Sequence, residues 1–313
     1  MQPIIQVEHL IKRYNKTTTN AVDNISFSVA PGEFFALLGP NGAGKTTTIS
    51  ILTTTLSPTS GTVKVAGYDA SSQASAVRGC IGIIFQQPSL DLNLTAEENV
   101  RFHAMLYGLY SFRPSFSLMP GAYKQQVREL AAILGIQDEI FKPIKTFSGG
   151  MKRKLEIIRS LIHRPRVLFL DEPTSGLDPA SRRNLWDYLC QVREESGTTI
   201  FLTTHYLEEA EGADTVCIIN KGKIVSYGTP AHIKADLIQN YVLIDADDRE
   251  GLRAELTRLG IDFTETPLFR IDLDGRNPQQ VIKSIETPLT VLKTHIPTLE
   301  DAYLAIVEEH ERE

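Results

Sequence analysis

The chain has 313 residues, a 42% hydrophobic fraction and a formal net charge of −6, so it is long enough for more than one domain and a substantial core. The negative balance argues against a general nucleic-acid binder, and no apolar run approaches the roughly 18 residues that cross a bilayer. The N-terminus has no signal-peptide pattern, and Cys80, Cys190 and Cys217 lack paired metal-ligand spacing, which predicts buried free thiols in a reducing compartment.

In chain order, residues 4–38 and 62–67 predict a mainly antiparallel sheet, with Tyr14 near the end of its first apolar segment. Phe34, Phe35, Ala36, Leu37 and Leu38 form a continuous apolar run, as a strand buried on both faces should. Directly after it, Gly39, Pro40, Asn41, Gly42, Ala43, Gly44, Lys45, Thr46 and Thr47 spell a complete glycine-rich phosphate loop before a predicted helix. Its glycines let backbone N–H groups turn inward around a β-phosphate, Lys45 supplies a cation to the β- and γ-phosphates, and the Thr46 hydroxyl can ligate Mg²⁺. The positive end of the following helix faces the same phosphates.

Ile81 to Phe85 is the next strand-like run and is followed by Gln86 and Gln87; from there to Ser148 the chain turns helical. Gly108 to Tyr123, with Pro114, Pro120 and several aromatics, reads as a loop or broken helix, either touching a partner or forming a surface insertion. Ser148, Gly149 and Gly150 then open a helix in which apolar and basic residues alternate, so exposed amides at its N-terminus make a second anion site. Val167 to Leu170 is an apolar strand ending in Asp171 and Glu172. At the end of a parallel strand beside a phosphate loop, Asp171 belongs near Mg²⁺ and Glu172 beside the attacking water. Strands near 81, 167, 199 and 215 alternate with helices in the doubly wound manner, and His205 follows the strand that begins at Thr199.

After the turn Gly228-Thr229-Pro230 the composition changes. Residues 236–313 hold 17 acids and 8 bases, net −9, which leaves 21 acids and 24 bases, net +3, for residues 1–235. Downstream, apolar runs at Tyr241 to Ala246, Leu268 to Leu273 and Leu289 to Leu292 alternate with helical patterns at Glu250 to Leu259 and Asn277 to Ile285. A last helix opens at Thr298 and runs through Glu309, with Leu299, Ala302, Tyr303, Ile306 and Val307 able to share one face. The domains expected are 1–235, with a helical subdomain at about 90–165, and a small α+β domain at 236–313.

The phosphate loop, Gln86, Ser148-Gly149-Gly150, Asp171-Glu172, Ser175-Gly176-Leu177-Asp178 and His205 occur in register over residues 4–230. In this the chain resembles the ATP-binding subunits of ABC transporters. Met151 stands where many members carry Gln, and Phe147 where Leu is more frequent; the Phe-Ser-Gly-Gly-Met form resembles the drug, antibiotic and polysaccharide exporter branch of the daunorubicin-resistance type. The resemblance implies an α/β phosphate-loop ATPase domain: a doubly wound core, an antiparallel β subdomain and a helical subdomain that receives a permease. It also implies ATP and Mg²⁺ as ligands. Tyr14 would stack on adenine, His205 would approach the γ-phosphate, and Gln86, with Gln87 as the adjacent alternative, would contact metal and water. Ser148, Gly149, Gly150 and Asp178 would act in trans on ATP held by a second copy or a paired ABC ATPase. The partner implied is an integral-membrane permease for export, with this chain peripheral on the cytoplasmic face. A soluble ABC ATPase of DNA repair or translation would need a long coiled-coil insertion or tandem cassettes, and neither is present; a guanine-reading GTPase would need an Asp that Asn220-Lys221-Gly222-Lys223 lacks.

Overall fold

In a computed structural model, residues 2–304 are described except 16, 86–88, 175–176, 238–240, 266, 274–275 and 296–297. Gln86, Gln87, Ser175, Gly176 and the last helix beyond Leu304 therefore lie outside the described residues. The chain forms two compact units, Met1–Tyr227 and Gly228–Glu313.

The first unit is organised by a six-stranded sheet in the order Lys223–Gly228, Thr215–Asn220, Phe34–Leu38, Thr199–Thr204, Val167–Asp171, Ile81–Ile84. Every residue of Phe34–Leu38, Val167–Asp171 and Thr199–Thr204 is buried, as parallel strands covered on both faces require. Phe34–Leu38 pairs in parallel with both Thr199–Thr204 and Thr215–Asn220. The mainly antiparallel sheet expected of residues 4–38 and 62–67 therefore does not include Phe34–Leu38. That sheet is built instead from Val22–Val29, Ile5–Lys12, Ser60–Val65 and Tyr68–Asp69. The two sheets meet over a stack of rings: Phe35 lies 5.3 Å from Phe27 and 5.1 Å from Phe201, and Phe201 lies 5.3 Å from Phe169.

Parallel pairing also fixes where the loops emerge. Leu38 is level with Thr204, and Asp171 with Thr203, so the loops that follow these strands leave the sheet at the same edge, where α/β ligand sites form.

Between the strands Ile81–Ile84 and Val167–Asp171 the chain is helical: Ala96–Leu106, Gly121–Ile133 and Gly149–Leu161. Thr95 starts the first of these with a reciprocal capping box to Glu98. The stretch before Gly121 carries one short turn of 3₁₀ helix, Phe116–Leu118, held by an edge-on contact of Phe116 with Phe141 and by an Arg101-to-Arg113 carbonyl bond of 2.7 Å. Of the three free thiols only Cys217 is buried; Cys80 is half-buried and Cys190 exposed on the helix Pro179–Ser196. The expectation of three buried thiols is corrected accordingly, since a helix turns part of its surface to solvent while Cys217 sits in a central strand.

The second unit contains a four-stranded antiparallel sheet ordered Thr264–Glu265, Phe269–Asp272, Tyr241–Asp245, Val291–His295. Arg249–Arg258 and Pro278–Lys283 supply helices, and Val242, Ile244, Leu252, Leu256, Phe269 and Ile271 its core. Residues 299–304 are helical, with Leu299 and Ala302 fully buried. Those two positions of the predicted stripe are thus covered by the chain itself.

Glu255 ties this unit together. Its carboxylate accepts from the Thr287 hydroxyl at 2.6 Å and from the backbone N–H groups of Glu286 and Thr287 at 2.9 Å each. These bonds hold its pKa down at about 2. A depressed folded-state value adds stability above the unfolded value near 4.5 and loses it as pH falls toward 2. Over that interval the full chain is expected to lose stability more steeply than Glu255→Gln, in thermal unfolding followed by circular dichroism. Identical acid limbs for the two proteins would show that this carboxylate does not carry the effect.

Candidate active site

Two glycines of the loop 39–47 are needed for space, and Gly42, at φ 82°, for torsion alone. A Cβ on Gly39 would come within 2.2 Å of the Ile219 carbonyl oxygen, and one on Gly44, at φ 110°, within 2.5 Å of the Ala21 carbonyl oxygen. Lys45 opens the helix Lys45–Leu52 and is 7% exposed. Its ammonium donates to the carbonyls of Gly39 at 2.6 Å and Pro40 at 3.1 Å. Burial lowers its pKa, while the charges of Glu172 and Asp171 oppose that shift, so the two acids lie within electrostatic reach of the loop. Thr46 is exposed on the first helical turn. Thr47 bonds the Tyr14 hydroxyl at 3.2 Å, which sets the half-exposed Tyr14 ring beside the loop.

Asp171 ends its strand nearly buried, at 4% exposure. Burial raises its pKa, against the hydrogen bond it accepts from the Thr203 hydroxyl. Glu172 has a left-handed backbone, φ 48°, and its N–H donates to the Thr203 carbonyl at 2.9 Å. His205, just past the neighbouring strand, places Nδ1 3.1 Å from Glu172 Oε1. Lys45, Asp171, Glu172 and His205 therefore form one constellation, with Thr46, Thr47 and Tyr14 along the adjoining loop.

Ser148, Gly149 and Gly150 stand on another element. The Ser148 side chain caps the helix Gly149–Leu161 by accepting from Met151 N–H at 3.2 Å, and Phe147 is buried behind it. Among the described residues no hydrogen bond or ion pair joins this turn to the phosphate loop. Asp178 caps the helix Pro179–Ser196, accepting from Ser181 N–H at 2.9 Å and Ser181 Oγ at 2.6 Å; the Ser181 hydrogen bonds hold its pKa down.

Three groups at the site were not foreseen from the sequence. Thr203 holds the Asp171 carboxylate. Glu209 accepts from the hydroxyls of Thr174 and Thr204, bracing the loops after both strands. Arg153, one of the basic positions in the alternating helix, is buried at 4% exposure with its guanidinium against the Asp171-Glu172-Pro173 backbone.

The sequence profile described as ABC transporter matches residues 22–175. The chain is 40% identical to the daunorubicin/doxorubicin resistance ATP-binding protein DrrA of Streptomyces peucetius, over 82% of this chain and 74% of that one. It is 39% identical to the linearmycin resistance ATP-binding protein LnrL of Bacillus subtilis (strain 168), over 96% and 97%. A bacterial ABC transporter cassette solved in dimeric form superposes with a TM-score of 0.64 at 25% identity, covering 72% of this chain and 98% of that one. With the phosphate loop, the acidic strand end and this similarity along most of its length, the chain belongs to the ATP-binding subunits of ABC transporters and is an ATPase.

Proposed function

We propose that this subunit drives export through a separate integral-membrane permease by ATP-dependent closure of two cassettes. The observation that carries the reading is the Lys45–Asp171–Glu172–His205 constellation at the mouth of a glycine-rich phosphate loop. Lys45 holds the β- and γ-phosphates, Tyr14 packs on the adenine, Glu172 orients the attacking water, and His205 steadies Glu172 and reaches toward the γ-phosphate. Gln86 acts as a further contact to metal and water.

Mg²⁺ suits this donor set. Among the described residues no group of three His, Cys, Asp or Glu side chains is arranged to hold a metal ion by itself, and Mg²⁺ is usually held by one or two protein groups together with substrate phosphates and water. The buried Asp171 carboxylate and the exposed Thr46 hydroxyl are those groups. When bound, the ion neutralises charge on the β- and γ-oxygens.

The second half of the site comes from a partner copy, through Ser148, Gly149, Gly150 and Asp178. A Cβ on Gly149 would meet nothing of this chain within 4 Å, so its own fold leaves room at that turn for a nucleotide held elsewhere. Since one chain carries both halves, a homodimer has two competent sites. Export is favoured by the resistance named for the two relatives, because clearing a toxic compound requires outward movement. Among the described residues no helix is long and apolar enough to cross a membrane, so the path for cargo belongs to the permease, with this subunit docked on its cytoplasmic face.

Co-expressing the chain with a candidate multi-span permease, such as one found in an adjacent gene, and purifying the two together tests this reading. Co-purification, with ATP hydrolysis altered by the permease, is the expected result; an unassociated chain whose hydrolysis is indifferent to that protein would contradict it.

Residues 236–313 serve as an accessory domain that regulates the cassettes. All the nucleotide-site residues precede Tyr227, where the first unit ends, so a chain cut at Lys234 is expected to bind ATP with the affinity of the full chain and to change only in dimerisation and permease-coupled hydrolysis. Titration with a fluorescent nucleotide checks this. If the shortened chain folds but loses ATP, the region after 234 belongs to the nucleotide-binding fold.

A further inference from the structure

We propose that Arg153 is a positioning residue for hydrolysis, whose guanidinium holds the backbone of Glu172 in the conformation that aims its carboxylate. The inference rests on Glu172 being the residue that orients water. Arg153 Nη2 donates to the carbonyls of Asp171 and Glu172 at 3.0 Å each, and Nε to the carbonyl of Pro173 at 2.8 Å. Nη1 donates to the Phe85 carbonyl and to Glu156 Oε2, the latter at 3.2 Å. A guanidinium has five N–H groups in a fixed fork, and these five acceptors match that number.

The geometry matters because of the backbone it grips. Glu172 is not glycine, yet it sits at φ 48°, a conformation that persists only where surrounding contacts over-determine it. Here the residue is held on both sides of its Cα: its N–H by the Thr203 carbonyl at 2.9 Å, its C=O by Arg153 at 3.0 Å. If the carbonyl is released, the residue can relax toward ordinary torsions, and the carboxylate leaves its place beside His205. The ammonium of lysine is a compact charge with three donors and cannot span the same acceptors. Arg153 and Glu156 are 4% and 2% exposed, so the guanidinium's charge is balanced by Glu156 within the protein. Glu156 is itself anchored, accepting from Ser89 N–H at 2.8 Å.

The test compares full-length Arg153→Lys and Arg153→Met with the parent in ATP affinity, KM, kcat and thermal unfolding. The expected result is a kcat lower by about 10²-fold, the scale of a misplaced catalytic group, with ATP affinity and KM within a few-fold and Lys no better than partial rescue. Unchanged kcat in Arg153→Lys would overturn the proposal, as would kcat, affinity and thermal stability falling together. If neither variant folds, the isosteric Glu156→Gln decides: lower kcat at constant KM supports the role, and full kcat overturns it. Glu172→Gln is run alongside. Full hydrolysis there would sink the assignment of Glu172 itself, whereas an inactive Glu172→Gln beside a fully active Arg153→Lys would sink only the role of Arg153.

Discussion

Replacing Glu172 by Gln is expected to leave ATP binding within a few-fold of the parent and to lower hydrolysis by about 10²- to 10⁴-fold, the span of a lost general base. The substitution keeps size and hydrogen-bonding shape while removing the negative charge. His205 Nδ1, now 3.1 Å from Glu172 Oε1, can still donate to the amide oxygen, so the loop geometry should survive and the loss should fall on kcat. Lys45 sees one acid fewer, since Glu172 and Asp171 both oppose the lowering of its pKa, but Asp171 remains. Single-turnover hydrolysis with saturating nucleotide measures the effect directly. Hydrolysis within tenfold of the parent would remove Glu172 from the reaction.

Replacing Lys45 by Ala should act one step earlier, on binding. The ammonium is held at the loop by the Gly39 and Pro40 carbonyls and is the loop's own cation. Hydrogen bonds to charged groups contribute roughly 1.5–3 kcal/mol each; two phosphates losing such a donor weaken ATP by about 3 kcal/mol or more, at least a hundredfold in Kd. Ala propagates the helix Lys45–Leu52 well, so circular dichroism should be unchanged while nucleotide titration fails. ATP bound with the parent's affinity would refute the assigned site.

How far the sequence could be read depended on whether a residue's role is local. The phosphate loop was legible because it is one continuous segment, and the crowding at Gly39 and Gly44 explains why glycine is needed there. Asp171 and Glu172 were legible because a buried parallel strand ends at them. The burial of Phe34–Leu38 on both faces is legible in its apolar run, but its partners, Thr199–Thr204 and Thr215–Asn220, lie far along the chain, so no local pattern separates it from the antiparallel segments before it. Arg153 was hidden for a related reason. The helix Gly149–Leu161 carries several basic positions, and only the approach of the Asp171-Glu172-Pro173 backbone decides which of them is buried. Thr203 is likewise an ordinary strand threonine until its register opposite Asp171 is known. The second unit's alternation of apolar runs and helical patterns was legible, but its strand order, with Tyr241–Asp245 between Phe269–Asp272 and Val291–His295, is again a matter of long-range pairing.

The measurement that bears most directly on the proposed mechanism is the mass of the Glu172→Gln chain in solution, by light scattering after size exclusion, with and without ATP and Mg²⁺. Closure around nucleotide that cannot be hydrolysed predicts a monomer without ATP and a dimer holding two ATP molecules with it, lost again when Ser148 is replaced by a bulky residue. A Glu172→Gln chain that binds ATP fully and yet stays monomeric would contradict the shared site.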